Sequence, residues 1–190
     1  MKKLSLTFFL LVQFVIELAI AGPQKIDGLL TFVPANFKIF DQYDADLNQD
    51  GFNDKILVLI NNSEEITPAG EDTPRRSLVI LLGKKNGFTK VVDTDKVVYC
   101  KTCGGMMGDP YVRIAVKPPY FTVEHYGGSA WRWKEYLTFK YSKKFSTFIL
   151  HKKSHQFFHV AESPNKAQTK IQTQKNFGTV KIQDFDIYKE

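Results

Sequence analysis

Short apolar stretches separated by polar turns set the rhythm of this chain: Phe37 to Phe40, Ile56 to Ile60, Leu78 to Leu82, Phe88 to Val92 and Val97 to Tyr99. The pattern continues with Val112 to Val116, Phe121 to His125, Trp131 to Tyr141, Thr147 to Leu150 and a last run at Thr179 to Ile182. Their lengths suit strands, and no long segment carries the apolar stripe of an amphipathic helix. The apolar stock is aromatic and β-branched, with 16 Phe and 8 Tyr, side chains that pack well on a pleated surface. An all-β fold follows, a single antiparallel sandwich-like or open-barrel domain.

Turn chemistry supports the same punctuation. Asn86-Gly87 separates two apolar runs and offers positive φ, a strong hairpin cue. Lys117-Pro118-Pro119 and Ser142-Lys143-Lys144 divide two further pairs. Asn61 to Arg76, rich in Pro, Gly and acidic residues, reads as a long exposed loop. Ala161 to Asn176 is polar and reads as a connection before a final strand.

Residues 1–21 change the picture of where the protein works. Lys2 and Lys3 precede an apolar stretch from Leu4 to Ile20, and Ala19-Ile20-Ala21 gives a small-x-small cleavage pattern before Gly22. Gln13 and Glu17 interrupt the run, which argues against a membrane span. The expectation is a cleaved signal peptide, residues 22–190 as one β-rich domain in the periplasm or outside the cell, and no integral membrane segment after cleavage. Cleavage would take the formal net charge from +6 to +5, because Lys2, Lys3 and Glu17 leave. The surplus is C-terminal: residues 22–133 hold 13 basic and 14 acidic side chains, residues 134–190 hold 11 and 5. Such a surplus favours anionic partners such as lipid headgroups, wall polymers or an acidic protein face, or serves solubility alone. Nucleic acid is not expected as a partner of an exported chain.

The clearest chemistry lies at residues 44–54, Asp44-Ala45-Asp46-Leu47-Asn48-Gln49-Asp50-Gly51-Phe52-Asn53-Asp54. With Asp46 as position 1, side-chain oxygens fall at positions 1, 3, 5 and 9, and Gly51 stands at position 6 where a calcium loop turns sharply. Asp46, Asn48, Asp50 and Asp54, with the Phe52 carbonyl, are therefore the expected Ca²⁺ ligands. An EF-hand needs a bidentate Glu at position 12, and Leu57 stands there inside a strand-like run, so a helix-loop-helix is excluded. The loop resembles the D-x-N-x-D-G-x-x-D calcium turn of FG-GAP and similar β-repeat proteins. One copy alone excludes a multi-bladed propeller.

Cys100 and Cys103 are the two cysteines, and export predicts a disulfide between them. A redox-active C-x-x-C normally opens a helix that lowers the thiol pKa, whereas Gly104-Gly105 follow here, and one pair is too few ligands for zinc. His151, His155 and His159 recur every four residues among lysines that would oppose a cation. Ser129 lies near His125 without a G-x-S-x-G elbow, so no catalytic group is assigned.

The most distinctive segment is His125-Tyr126-Gly127-Gly128-Ser129-Ala130-Trp131-Arg132-Trp133, which holds both tryptophans. On a strand Trp131 and Trp133 share one face and Arg132 takes the other. Exposed, they anchor a partner; buried, they are core. With Gly108-Asp109-Pro110 and the calcium turn, these residues resemble a group of exported bacterial β-proteins similar to periplasmic lysozyme inhibitors and calcium-binding immunity proteins. The resemblance spans roughly residues 41–141. In those inhibitors a G-x-x-x-Y-x-Y loop plugs the lysozyme cleft; Gly127, Trp131 and Trp133 fall at that spacing, with Trp at both Tyr places.

The expected function is an exported, calcium-stabilised binding protein, specifically an inhibitor of, or immunity protein against, a lysozyme-like wall-degrading enzyme. Tyr126, Gly127, Trp131, Arg132 and Trp133 are the expected partner-binding residues. The alternatives are a structural envelope protein and a hydrolase whose site assembles in space around His125, Glu124 and Asp109.

Overall fold

The computed structural model describes residues 27–68, 71–163 and 166–189. The signal-peptide expectation lies outside the described residues. Two antiparallel sheets face each other. The first contains β1 (Phe37–Ala45), β2 (Asp54–Asn61), β3 (Arg76–Lys84) and β4 (Gly87–Val98) in that order. The second contains β5 (Tyr111–Lys117), β6 (Tyr120–Gly128), β7 (Trp131–Ser142), β8 (Thr147–His159) and β9 (Gln168–Thr173), also in chain order. Neither sheet closes into a barrel, and the domain is an all-β sandwich.

Alternation explains the packing. Ile56, Val58, Leu78, Ile80 and Val92 point from the first sheet into a core shared with Phe121, Val123, Leu137, Phe139 and Phe148 of the second. The opposite side of the first sheet is apolar too. There Leu57, Leu59, Val79 and Leu81 lie under Leu29, Phe32 and Val33 from the segment that begins with α1 (Asp27–Leu30). Burial on both sides is why β2 and β3 read as unbroken apolar runs rather than as alternating strands. The C-terminal segment closes the sandwich with Ile182, Phe185 and Ile187.

The Asn86-Gly87 cue holds. Lys84 pairs with Gly87 across a tight hairpin, and Gly87 adopts φ +116°.

Three local expectations need correction. Ala161 to Asn176 is not all connection, because residues 168–173 pair with β8 as its outer neighbour. Thr, Gln and one Ile suffice for an edge strand whose partner supplies the ladder. Thr179 to Ile182 is no strand; it touches β8 through an isolated bridge between Ile149 and Lys181 and serves mainly to bring Ile182 into the core. Within the 61–76 stretch, residues 62–65 form a 3₁₀ turn capped by the Asn61 side chain, which accepts from the Ser63 amide.

Candidate functional site

The acidic turn connects β1 to β2 and is held by its own amides. Asp46 accepts from the backbone N–H of Asp50 at 3.0 Å and of Gly51 at 2.9 Å, while Asp50 accepts from Phe52 at 2.9 Å. Asn48 Oδ1 accepts from the Asp50 amide at 3.0 Å, and its Nδ2 donates to Asp50 Oδ2 at 2.8 Å. Asp46, Asn48 and Asp50 thus converge on one side of the turn, and Gly51 at φ +91° makes the bend that the spacing requires.

Asp54 is placed differently. Its fully buried carboxylate accepts from Leu47 at 2.7 Å, Asn48 at 3.3 Å and Gly83 of β3 at 2.8 Å. Burial raises its pKa, and the three amides oppose that shift. Asp54 therefore pins the turn to the sheet. Among the described residues no three His, Cys, Asp or Glu side chains form a group that could hold a metal. The donor chemistry of Asp46, Asn48, Asp50 and the Phe52 carbonyl remains oxygen only, the kind a hard divalent cation takes.

At the far end of the sandwich the other distinctive segments meet. Cys100 and Cys103 are joined by a disulfide that opens a 3₁₀ stretch, Lys101–Met107. Gly104 of that stretch and the Trp133 indole both lie against the same side of Gly127 of β6. Trp133 meets Tyr99 edge-on with ring centroids 5.5 Å apart, and Tyr99 meets His125 at 4.9 Å. His125 is 1% exposed and accepts from the Tyr99 amide at 3.3 Å. Burial, aided by the Arg76 charge, pushes its pKa down to about 3.

Arg76 is the keystone beneath this end. It is 1% exposed and donates to both Glu64 oxygens, at 2.9 and 2.7 Å, and to both Asp109 oxygens, at 2.8 and 2.6 Å. Burial works against its charge, but the hydrogen bonds to Glu64 and Asp109 outweigh it and raise the pKa. The guanidinium also lies 4.7 Å from the Phe40 ring centroid.

The chain matches no family model, no curated protein and no solved structure.

The three groups named for hydrolysis do not assemble. Asp109 is committed to Arg76, Glu124 pairs with Arg113 at 3.0 Å, and His125 alternates with Glu124 along β6, so the two face opposite sides of the sheet. Ser129 sits in the exposed β6–β7 turn, where its amide donates to the Trp131 carbonyl.

The tryptophans divide. Trp133 is half-buried as described, whereas Trp131 at the start of β7 is 50% exposed. Its ring stacks on Phe157 of β8 at 5.1 Å and 3°, and meets His159 edge-on at 4.8 Å. Phe157 is itself 38% exposed. Arg132 and Tyr126 point to the opposite side of the sheet, where the guanidinium lies 5.8 Å from the tyrosine ring. The expected partner set is thus split by the sheet: Gly127, Trp131 and Trp133 on one side, Tyr126 and Arg132 on the other.

Sequence reading missed Arg76, Phe157 and the pairing of His159 with Trp131. The only available cue was the equal spacing of His155, Phe157 and His159, which an amphipathic strand would place together.

Proposed function

We propose that this is an exported, calcium-stabilised binding protein whose partner is a lysozyme-like wall-degrading enzyme, engaged through Trp131. The observation that carries the reading is Trp131 itself. A half-exposed indole beside the turn of a hairpin, stacked on a second exposed ring, retains apolar surface that folding does not use. Its supports are stiff: Trp133 is wedged over Gly127, and the disulfide-bearing stretch packs on the same side of that glycine. A preformed aromatic hairpin loses little freedom on docking, which favours affinity.

Calcium fits as the stabiliser of the opposite end. Asp46, Asn48, Asp50 and the Phe52 carbonyl would hold it, with Asp54 fixing the turn to β3. The bound ion would neutralise carboxylates crowded into one turn, and the chain's own amides already orient them.

The test is a panel of lysozyme-class hydrolases mixed with the purified protein. The expected result is complex formation and loss of hydrolysis, both abolished by Trp131→Ala without change in the melting temperature beyond a few degrees. Unaltered hydrolysis and no complex at micromolar protein reject the reading.

A further inference from the structure

We propose that the outward side of the second sheet is a binding face for a linear acidic polysaccharide. This goes beyond the hairpin reading and stands without it. On β7 the core side chains are Leu137 and Phe139, so Arg132, Lys134, Tyr136, Thr138 and Lys140 project the other way. Register extends the face: Tyr120 lies opposite Lys140, Tyr126 opposite Lys134, Lys117 opposite Tyr120 and Lys152 opposite Thr138.

Charge on this face is one-sided. Glu124 is occupied by Arg113, and Glu162 stands at the rim, on the turn beside Phe158. Lys117, Arg132, Lys134, Lys140 and Lys152 form no ion pair among the described residues. Arg132 Nε and Nη1 are buried and have no hydrogen-bond acceptor among the described residues. His151 registers the field: burial first, then Lys140 and Lys152, lower its pKa. Arg132 to Lys140 covers about 26 Å along one strand, a track suited to an extended chain rather than to a small anion.

The aromatic rings decide which polyanion. Lys140 Nζ lies 5.4 Å from the Tyr120 centroid, Lys134 Nζ 5.7 Å from Phe158, and Arg132 5.8 Å from Tyr126. Cations already occupy these π-faces. Binding of single-stranded nucleic acid relies on free faces for base stacking. A chain of sugars with carboxylates needs only the charges and the polar side chains of Thr122 and Gln156 between them.

The experiment is calorimetric titration of the full chain with polygalacturonate, neutral dextran and a single-stranded oligonucleotide. Polygalacturonate is expected to bind, to weaken about tenfold between roughly 50 and 300 mM salt, and to outcompete the other two. The triple variant K134E/K140E/K152E is expected to lose roughly tenfold or more in affinity, while K84E/K85E/K96E on the first sheet, with the same net charge, keeps it. If the reversal melts early, K134Q/K140Q/K152Q reads the same loss with less repulsion. No binding at low salt, equal loss in both triple variants, or tighter binding of the oligonucleotide overturns the proposal. None of these outcomes depends on Trp131.

Discussion

Trp133 lies so close over Gly127 that a methyl group placed there would sit 2.4 Å from Cζ2 of the indole and 3.0 Å from the Gly104 carbonyl oxygen. Neither neighbour can yield freely, because one is a ring packed on Tyr99 and the other is backbone. Gly127→Ala is expected to destabilise the fold by about 1–3 kcal/mol. It should also displace the indole, so tryptophan emission of the variant should shift relative to the native protein in the same buffer. A variant with unchanged emission and melting temperature would mean that the wedge is looser than described.

Asp54 makes a separate prediction at the other end. Its carboxylate satisfies three backbone N–H groups, from Leu47, Asn48 and Gly83. Asp54→Ala strands them, and buried donors without partners cost about 1–3 kcal/mol each when no water replaces the acceptor. Urea denaturation should show a loss of roughly 2–4 kcal/mol.

Calcium should act through the same turn. An ion bound at a hundred times its dissociation constant adds about 2.7 kcal/mol. That corresponds to a rise of roughly 5–10 °C in melting temperature for a domain of this size. Chelation should reverse the rise, and Asp46→Asn with Asp50→Asn should abolish it.

Arg76 has nowhere else to place its charge. Arg76→Met leaves Glu64, 3% exposed, without a cation and releases Asp109, in the loop before β5, from its ion pair. A loss of about 3–5 kcal/mol is expected. Lys should not rescue it, since an ammonium cannot bond both carboxylates in fork geometry.

His125 gives the fold a pH signature. Its folded pKa, about 3, lies below the ordinary histidine value, so the unfolded chain binds the extra proton first. Stability contributed by the neutral ring is complete above about pH 6.5 and is lost as pH falls toward 3, with a slope of at most about 1.4 kcal/mol per pH unit. His125→Gln should flatten the profile in that window. An unchanged slope would assign the acid sensitivity to the carboxylates around Arg76 instead.

The strands were legible because their sequences obey simple rules. β6, alternating Phe121, Val123 and His125 inward, announces one buried side, and the apolar block of β2 announces two. The disulfide follows from a chain with two cysteines read as exported, and the bend at Gly51 follows from the spacing of the acidic turn. The site was harder. Trp131 and Phe157 are 26 positions apart in sequence and meet only because β7 and β8 pair in one particular register. Arg76 and Asp109 are likewise joined by folding, across a separation of 33 residues. Local pattern carries no information about such meetings, and β9 escaped notice because an edge strand of Gln, Thr and Lys lacks the apolar signal that marks its neighbours.

Among the described residues, the α1 segment covers the outer side of the first sheet, and no segment does the same for the second. Bare sheets invite a second molecule to lie flat on them, and here each copy would meet another of like sign. Self-stacking is thus discouraged in dilute buffer, and precipitation should set in as salt is added rather than removed.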